Sequence, residues 1–237
     1  MAGVKNKTMT RINKFLAARS GLSRRDADKA LTEGRVRINN KMPEGPWVQV
    51  DENDKVTLDG NDISGADDFF YWAFYKPKEL LTAYGDGHGK QTLEVFPFLR
   101  ENKPAYSGRL DYDSEGLIIF SNDGDFIRKL QNAEEKIEKE YIVTVNRVLK
   151  KSEIEELRKG ITYEGIHYRE CIVEQHSHDR YQVVLHEGKK RQIRHMFRNF
   201  GIRVKKLKRV RIGSVNLNEL QPGEFREFSP KELREMV

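Results

Sequence analysis

Residues 107–125, SGRLDYDSEGLIIFSNDGD, set five acidic side chains and one arginine around a glycine and an apolar run. Carboxylates gathered in this way do one of two things: they hold a hard cation, or one of them acts as nucleophile or base. Read from Asp111, the stretch imitates a calcium loop, with Asp111, Asp113 and Glu115 at positions one, three and five, Gly116 at six and Ile118 at eight. Position twelve, where such a loop needs a bidentate Glu, is Asn122, and the flanks read as β-rich rather than as two helices. Calcium is therefore disfavoured, and the carboxylates need a partner from elsewhere in the chain.

The other common catalytic constellations are missing. The chain has no G-x-x-x-x-G-K-[ST] phosphate loop, no H-E-x-x-H and no G-x-S-x-G. Its six histidines lack metal spacing; His186 and His195, for example, stand nine apart. A single cysteine, Cys171, rules out an internal disulfide and a thiolate zinc cluster, which fits a reducing compartment. If this chain is an enzyme, the expectation is a reaction free of metal and cofactor, carried by a carboxylate, a tyrosine or a lysine.

Two domains are expected to position these groups, since 237 residues can form a small module joined to a medium one. With 37% hydrophobic and 34% charged residues the chain reads as soluble and globular. Its apolar runs are too short to span a bilayer, and MAGVKNKTMTR lacks the apolar core of a secretory signal, so a cytoplasmic protein is expected. Charge is uneven. Residues 1–41 carry 11 Lys/Arg against 3 Asp/Glu, and residues 186–211 carry 11 against Glu187 alone. Within a net charge of only +6, two dense basic patches on an acidic body point to a polyanion held at two places.

Residues 9–60 read as the small module. Ile12, Phe15 and Leu16 make one helical face and Ala27, Ala30 and Leu31 a second; Ser23 is a cap for the second helix and Gly34 ends it. RVRIN and DKVTLDG alternate as strands, with Asn39-Asn40 in a tight turn. Around these faces stand Arg11, Lys14, Arg24, Arg25, Arg35 and Arg37, suited to phosphate contacts. The strings R-I-N-K-F-L-A, S-R-R-x-A-D and G-R-V-R-I-N resemble the S4 RNA-binding domain. That resemblance implies binding to structured RNA and leaves the chemistry open.

Residues 61–67 are expected to be a linker and 68–237 a second domain. There FFYWAFYKP, GLIIFSN, EYIVTVN, ITYEGIHYRE, CIVEQHS and RYQVVLHEG read as strands, and KSEIEELRKG and KKRQIRHMFRNFG as helices. Strands lie in runs, so the predicted class is α+β with a mixed, mainly antiparallel sheet.

Three stretches then come together: GRLD at 108–111, KEY at 139–141 and EGKKRQIRHMF at 187–197. With the longer strings G-R-L-D-x-D-S-E-G-L and E-G-x-x-R-Q-I-R, they resemble the pseudouridine synthases of the small-ribosomal-subunit-type (RsuA-like) branch, whose members carry an N-terminal S4 domain. The resemblance covers roughly residues 10–226. It implies isomerisation of a uridine in ribosomal RNA, a substrate base drawn out of its stack. It also implies Asp111 as the nucleophile or base at the sugar and Arg194 as the guanidinium that favours its charged form. The same resemblance implies that Tyr141 stacks on the target base and that Ile193 walls the other face. Arg109, which points away from Asp111 in an extended segment, is assigned to base flipping or phosphate contact, and Lys139, Arg191 and Gln192 to substrate binding. Asp113 and Ser114 are expected to cap a turn through their side-chain oxygens, and Asp123-Gly124 to form a turn before a helix.

One departure stands out. Where the family usually has a glycine two residues after Lys-Pro, Lys76-Pro77 is followed by Lys78-Glu79, and Glu strains a turn that glycine permits. The rival function is a non-catalytic ribosome assembly factor with an inactive synthase-like domain. The resemblance leans toward large-subunit RNA, and a monomer is the default.

Overall fold

The computed structural model describes residues 9–51, 53–65, 69–85 and 87–236. They divide into two units. One comprises the chain to Phe70 with Phe96–Ala105 and Ser121–Gly124; the other comprises Tyr71–Val95, Tyr106–Phe120 and Asp125 onward.

The first unit is built as its sequence predicts. The helix Ile12–Ser20 stops at Gly21, which takes the left-handed φ of 70°. Ser23 accepts the Asp26 N–H at 3.1 Å to start the helix Arg24–Thr32, and Gly34, also at φ 70°, turns the chain out of it. Val36–Ile38 pairs with Val56–Leu58, and Asn39 and Asn40 take the left-handed conformation in the turn. Thr10–Arg11 pairs with Gln49–Val50. The apolar faces of both helices meet over Val36, Val50 and Val56, which are 0–1% exposed. Within the stretch 61–67, read in the sequence as a linker, Asn61–Asp62 adds a strand to Val56–Leu58, and the Ser64 hydroxyl accepts the Val56 N–H. A polar run of Asn, Asp, Ser and Gly hid this pairing, because its edge strand buries almost nothing. Residues 66 and 67 lie outside the described residues.

The second unit is α+β around a nine-stranded mixed sheet. Its main path runs Ile172–Ser177, Arg180–Leu185, Lys139–Val145, Val204–Ile212, Glu115–Ser121, Tyr71–Lys76, Phe225–Glu227. Lys139–Val145 is antiparallel to both of its neighbours, whereas Val204–Ile212 runs parallel to Glu115–Ser121. At that parallel crossing Gly116 lies opposite Arg209. A Cβ on Gly116 would lie 2.2 Å from the Arg209 carbonyl oxygen, and φ there is 116°, so only glycine fits. The predicted hairpin 161–168 forms with Glu164 and Gly165 left-handed at its tip. Helices Gly124–Gln131, Lys151–Lys159, Gln192–Arg198 and Pro230–Met236 complete the unit. Leu117, Ile119, Phe126, Ile127, Leu130 and Ile212 belong to one buried cluster beside the sheet. Among the described residues no helix is long and apolar enough to cross a membrane.

Candidate active site

The Asp111 segment is held at nearly every residue. Ser107 exchanges two hydrogen bonds with Ile119: its N–H donates to the Ile119 carbonyl at 2.9 Å, and its hydroxyl accepts the Ile119 N–H at 3.0 Å. The Gly108 carbonyl accepts from the Arg209 guanidinium at 3.2 Å. The Thr82 hydroxyl donates to the Leu110 carbonyl and accepts the Leu110 N–H, at 2.8 and 3.1 Å. The Tyr112 carbonyl takes the Glu79 N–H at 2.8 Å, and the Ser114 N–H closes the turn onto the Asp111 carbonyl at 3.0 Å. Finally, the fully buried Lys76 ammonium donates to the carbonyls of Ser114 and Pro77, at 2.9 and 2.7 Å.

The Asp111 carboxylate itself is left uncommitted. Among the described residues its one ionic partner is Arg191, at 3.6 Å, and no hydrogen bond reaches its oxygens. A backbone fixed by its neighbours beneath a half-exposed, loosely paired carboxylate is the arrangement a nucleophile needs: aimed but free to react.

The basic helix corrects two expectations. Arg194, 10% exposed, donates to the Val204 and Asp113 carbonyls, each at 3.1 Å, and to the Ser114 hydroxyl at 3.2 Å; its ionic partner is Asp113 at 3.1 Å. The guanidinium next to Asp111 is instead Arg191, which sits left-handed (φ 53°) just before the helix Gln192–Arg198. Arg194 lies within the field of Asp111 without touching it, and it braces the turn. The Asp113 carboxylate also meets the guanidiniums of Arg191 and Arg194, and the Ser114 hydroxyl accepts from Arg194 instead of capping the turn. Burial acts to raise the Asp113 pKa, but Arg191 and Arg194 outweigh it and hold the carboxyl below its ordinary value. Glu115 takes separate partners, the Tyr75 hydroxyl at 2.9 Å and Lys78 at 3.6 Å. Among the described residues no group of three or more His, Cys, Asp or Glu is placed to hold a metal ion.

A cleft of about 490 Å³ opens over Asp111, and Arg109, Lys139, Tyr141, Arg191 and Ile193 line it. Alternation along Lys139–Val145 puts Lys139 and Tyr141 on one buried face, 6% and 7% exposed. Lys139 donates to the Ile137 carbonyl at 2.9 Å; burial, with Arg209 nearby, lowers its pKa to about 8. Ile193 is buried on the first turn of its helix. Arg109 is exposed and, among the described residues, has no ion pair. Gln192 differs from its expected role: its side chain is committed to the loop, donating to Glu187 at 2.8 Å and accepting the Lys189 N–H at 3.1 Å. Glu187, buried, also accepts the Arg169 N–H, so this carboxylate and amide fix the loop that presents Arg191.

Several residues of the site were not anticipated. Lys76 reads in the sequence only as the end of an apolar strand; a lysine closing the apolar run Ala73-Phe74-Tyr75, all buried in the structure, is the available signal. Burial lowers its pKa to about 8 although Asp111, Asp113 and Glu115 all oppose that shift. Arg209, 3% exposed, donates to the Leu117 carbonyl at 2.7 Å, and Leu207 adds apolar surface to the cleft. Both sit in a string of cations whose alternation gave no hint of which would face inward. Glu79 adopts the left-handed conformation (φ 59°), so the turn that favours glycine is kept and the strain accepted.

In the first unit Arg11, Arg24, Arg25 and Arg37 are exposed, and among the described residues none has an ion pair. Arg35 does not fit a free phosphate ligand: Asp59 grips it through two bonds of 2.8 and 2.6 Å, with Glu33 at 3.5 Å. Lys14 is half-buried on the first helix.

Comparison with known proteins identifies the family. Residues 70–199 match the family model described as RNA pseudouridylate synthase. Ribosomal large subunit pseudouridine synthase B of Bacillus subtilis is 32% identical over 235 residues, covering 96% of each chain. The dual-specificity RNA pseudouridine synthase RluF of Escherichia coli K12 is 34% identical over 226 residues, 94% of this chain and 77% of that one. A solved structure described as a pseudouridylate synthase superposes with a TM-score of 0.69 at 26% identity, covering 96% of this chain and 99% of that one.

Proposed function

The chain belongs to the RNA pseudouridylate synthase family, and from that premise we propose that it converts a uridine of large-subunit ribosomal RNA to pseudouridine, with Asp111 as its nucleophile. The reaction breaks the bond between ribose C1′ and uracil N1, turns the base, and joins C1′ to C5. The C5 proton is lost and N1 carries one in the product, so no net atom enters or leaves. The observation that carries the reading is the clamped Asp111 turn with its carboxylate free above a cleft lined by Tyr141 and Ile193. An aromatic ring and an aliphatic wall on either side of a flipped base offset the cost of unstacking it.

Arg191 is the cation beside Asp111 and Arg194 the positioning residue that holds residues 113 and 114. Arg109 and Lys190, both exposed, suit the phosphates on either side of the target, and Lys139 suits a polar edge of the base. The module at residues 9–60 is read as an S4 domain that anchors the RNA through Arg11, Arg24, Arg25 and Arg37. The name of the Bacillus relative supports the large-subunit assignment. The protein is read as a cytoplasmic monomer that needs neither metal nor cofactor.

The test is tritium release from C5-labelled uridine in ribosomal RNA, free and in assembly intermediates, by the wild type and by Asp111→Asn. Release by the wild type alone, with RNA affinity of the variant within a few-fold, establishes the isomerase and its nucleophile. Silence from both on every substrate would favour a binding protein that assists ribosome assembly.

A further inference from the structure

Two large apolar side chains of the first unit stand in water: Trp47 at 63% exposure and Met42 at 58%. Both are nevertheless held in place. A Cβ on Gly45 would lie 2.4, 2.4 and 2.7 Å from three adjacent carbons of the Trp47 ring, so the indole lays one face directly over the Gly45 backbone. Met42 is seated in the same manner, its terminal methyl 2.4 Å from where a Cβ on Gly34 would be. Pro43 and Pro46 restrict φ within the loop, and the Val48 N–H closes it onto the Gly45 carbonyl at 3.2 Å. One face of the indole is thus covered by its own loop, which leaves the other to solvent.

The surroundings say what that open face fits. Val48 and Val50 pack toward the core of this unit, Trp47 projects from the turn just before the strand Gln49–Val50, and the register sets Arg11 directly opposite Gln49. Arg11 and Lys41 are exposed, and among the described residues neither has an ion pair. From Gly34 to Val50 the chain holds one acidic residue, Glu44, against Arg35, Arg37 and Lys41. An exposed aromatic face in a segment whose charge is mainly basic suits an unpaired nucleobase with its flanking phosphates, whereas an apolar partner would need a contiguous greasy patch.

We propose that Trp47 is a stacking platform for an unpaired base of the RNA substrate, with the adjoining phosphates on Arg11 and Lys41. This rests on the RNA-modifying reading above and adds a recognition point to it. The platform fixes which single-stranded nucleotide the first unit grips.

The full chain has two tryptophans, so Trp72→Phe leaves Trp47 as the only indole fluorophore. That protein is titrated with an oligouridylate and with an abasic oligomer of equal phosphate count. The expected result is quenching by the base-bearing oligomer only. Trp47→Ala should weaken its binding roughly 5- to 150-fold, the range that base–aromatic stacking spans, and Trp47→Phe by less. Gly45→Ala, which pushes the ring off its seat without deleting it, should weaken binding as well. Equal quenching by the abasic oligomer, or Trp47→Ala binding within two-fold of wild type in a protein with unchanged melting, overturns the platform. Tritium release by the same variants separates the two readings. Turnover with Trp47→Ala affinity unchanged removes the platform alone; absence of turnover from wild type removes the isomerase while the titrations still decide the platform.

Discussion

Replacing Arg194 and Arg191 separately by Met distinguishes the residue that holds the turn from the residue that faces Asp111, the proposed nucleophile. Arg194 is 10% exposed and serves the Val204 carbonyl, the Asp113 carbonyl and the Ser114 hydroxyl. Without it the two carbonyls lose their donor, at about 1–3 kcal/mol each. Asp113, half in water, can be solvated, and the Arg194 Nε, already buried without a partner, no longer carries that cost. The net loss should be about 3 kcal/mol, which in a chain of this size lowers the melting temperature by roughly 6–12 °C. Arg191 is 36% exposed and meets its carboxylates at 3.4–3.6 Å, so it contributes at most about 1 kcal/mol. Thermal melting and single-turnover tritium release on the same preparations read both effects. Arg191→Met should melt within about 4 °C of wild type yet turn over more slowly by tenfold or more. The reasoning is refuted if Arg194→Met melts within about 2 °C of wild type while Arg191→Met falls by more than 6 °C.

Other perturbations probe the frame around the site. Gly116→Ala should fail to give soluble protein, since its Cβ would meet the Arg209 carbonyl at 2.2 Å; a folded, active variant would mean the parallel crossing can open. Glu79→Gly relieves about 1–2 kcal/mol of left-handed strain and gives back about 0.4–1 in chain entropy, so melting should rise slightly; a drop of several degrees would show that the Glu79 side chain is needed. Lys139 has a folded pKa of about 8, below its unfolded value of 10.5. The unfolded state therefore binds the extra proton between those values, and the burden of burying the ammonium, complete below pH 8, lifts as pH rises toward 10.5. Denaturant melts should show Lys139→Met gaining less stability than wild type between pH 8 and 10; equal gains would place the Lys139 ammonium in a solvated setting.

Local chemistry made much of this molecule legible in its sequence. Ser23, Gly34 and Asn39-Asn40 act through their own backbone, so caps and turns could be read directly. Alternation in EYIVTVN marked a strand, and the structure bears it out as Lys139–Val145. The acidic turn and the basic helix were paired only through the resemblance of GRLD and RQIR to the pseudouridine synthase motifs. What the sequence could not decide was which of two guanidiniums, three residues apart in RQIR, would meet Asp111. That depends on the left-handed turn at Arg191, on Glu187 and Gln192 fixing the loop, and on where Val204 and Asp113 offer carbonyls to Arg194. The buried Lys76 and Arg209 were hidden for the same reason. A cation is drawn inward only where carbonyls from distant segments converge, here 38 and 92 residues away, and that convergence exists only after the sheet has formed. Residue types and motifs supplied the candidate groups; long-range backbone acceptors, created by the fold, assigned each cation its place.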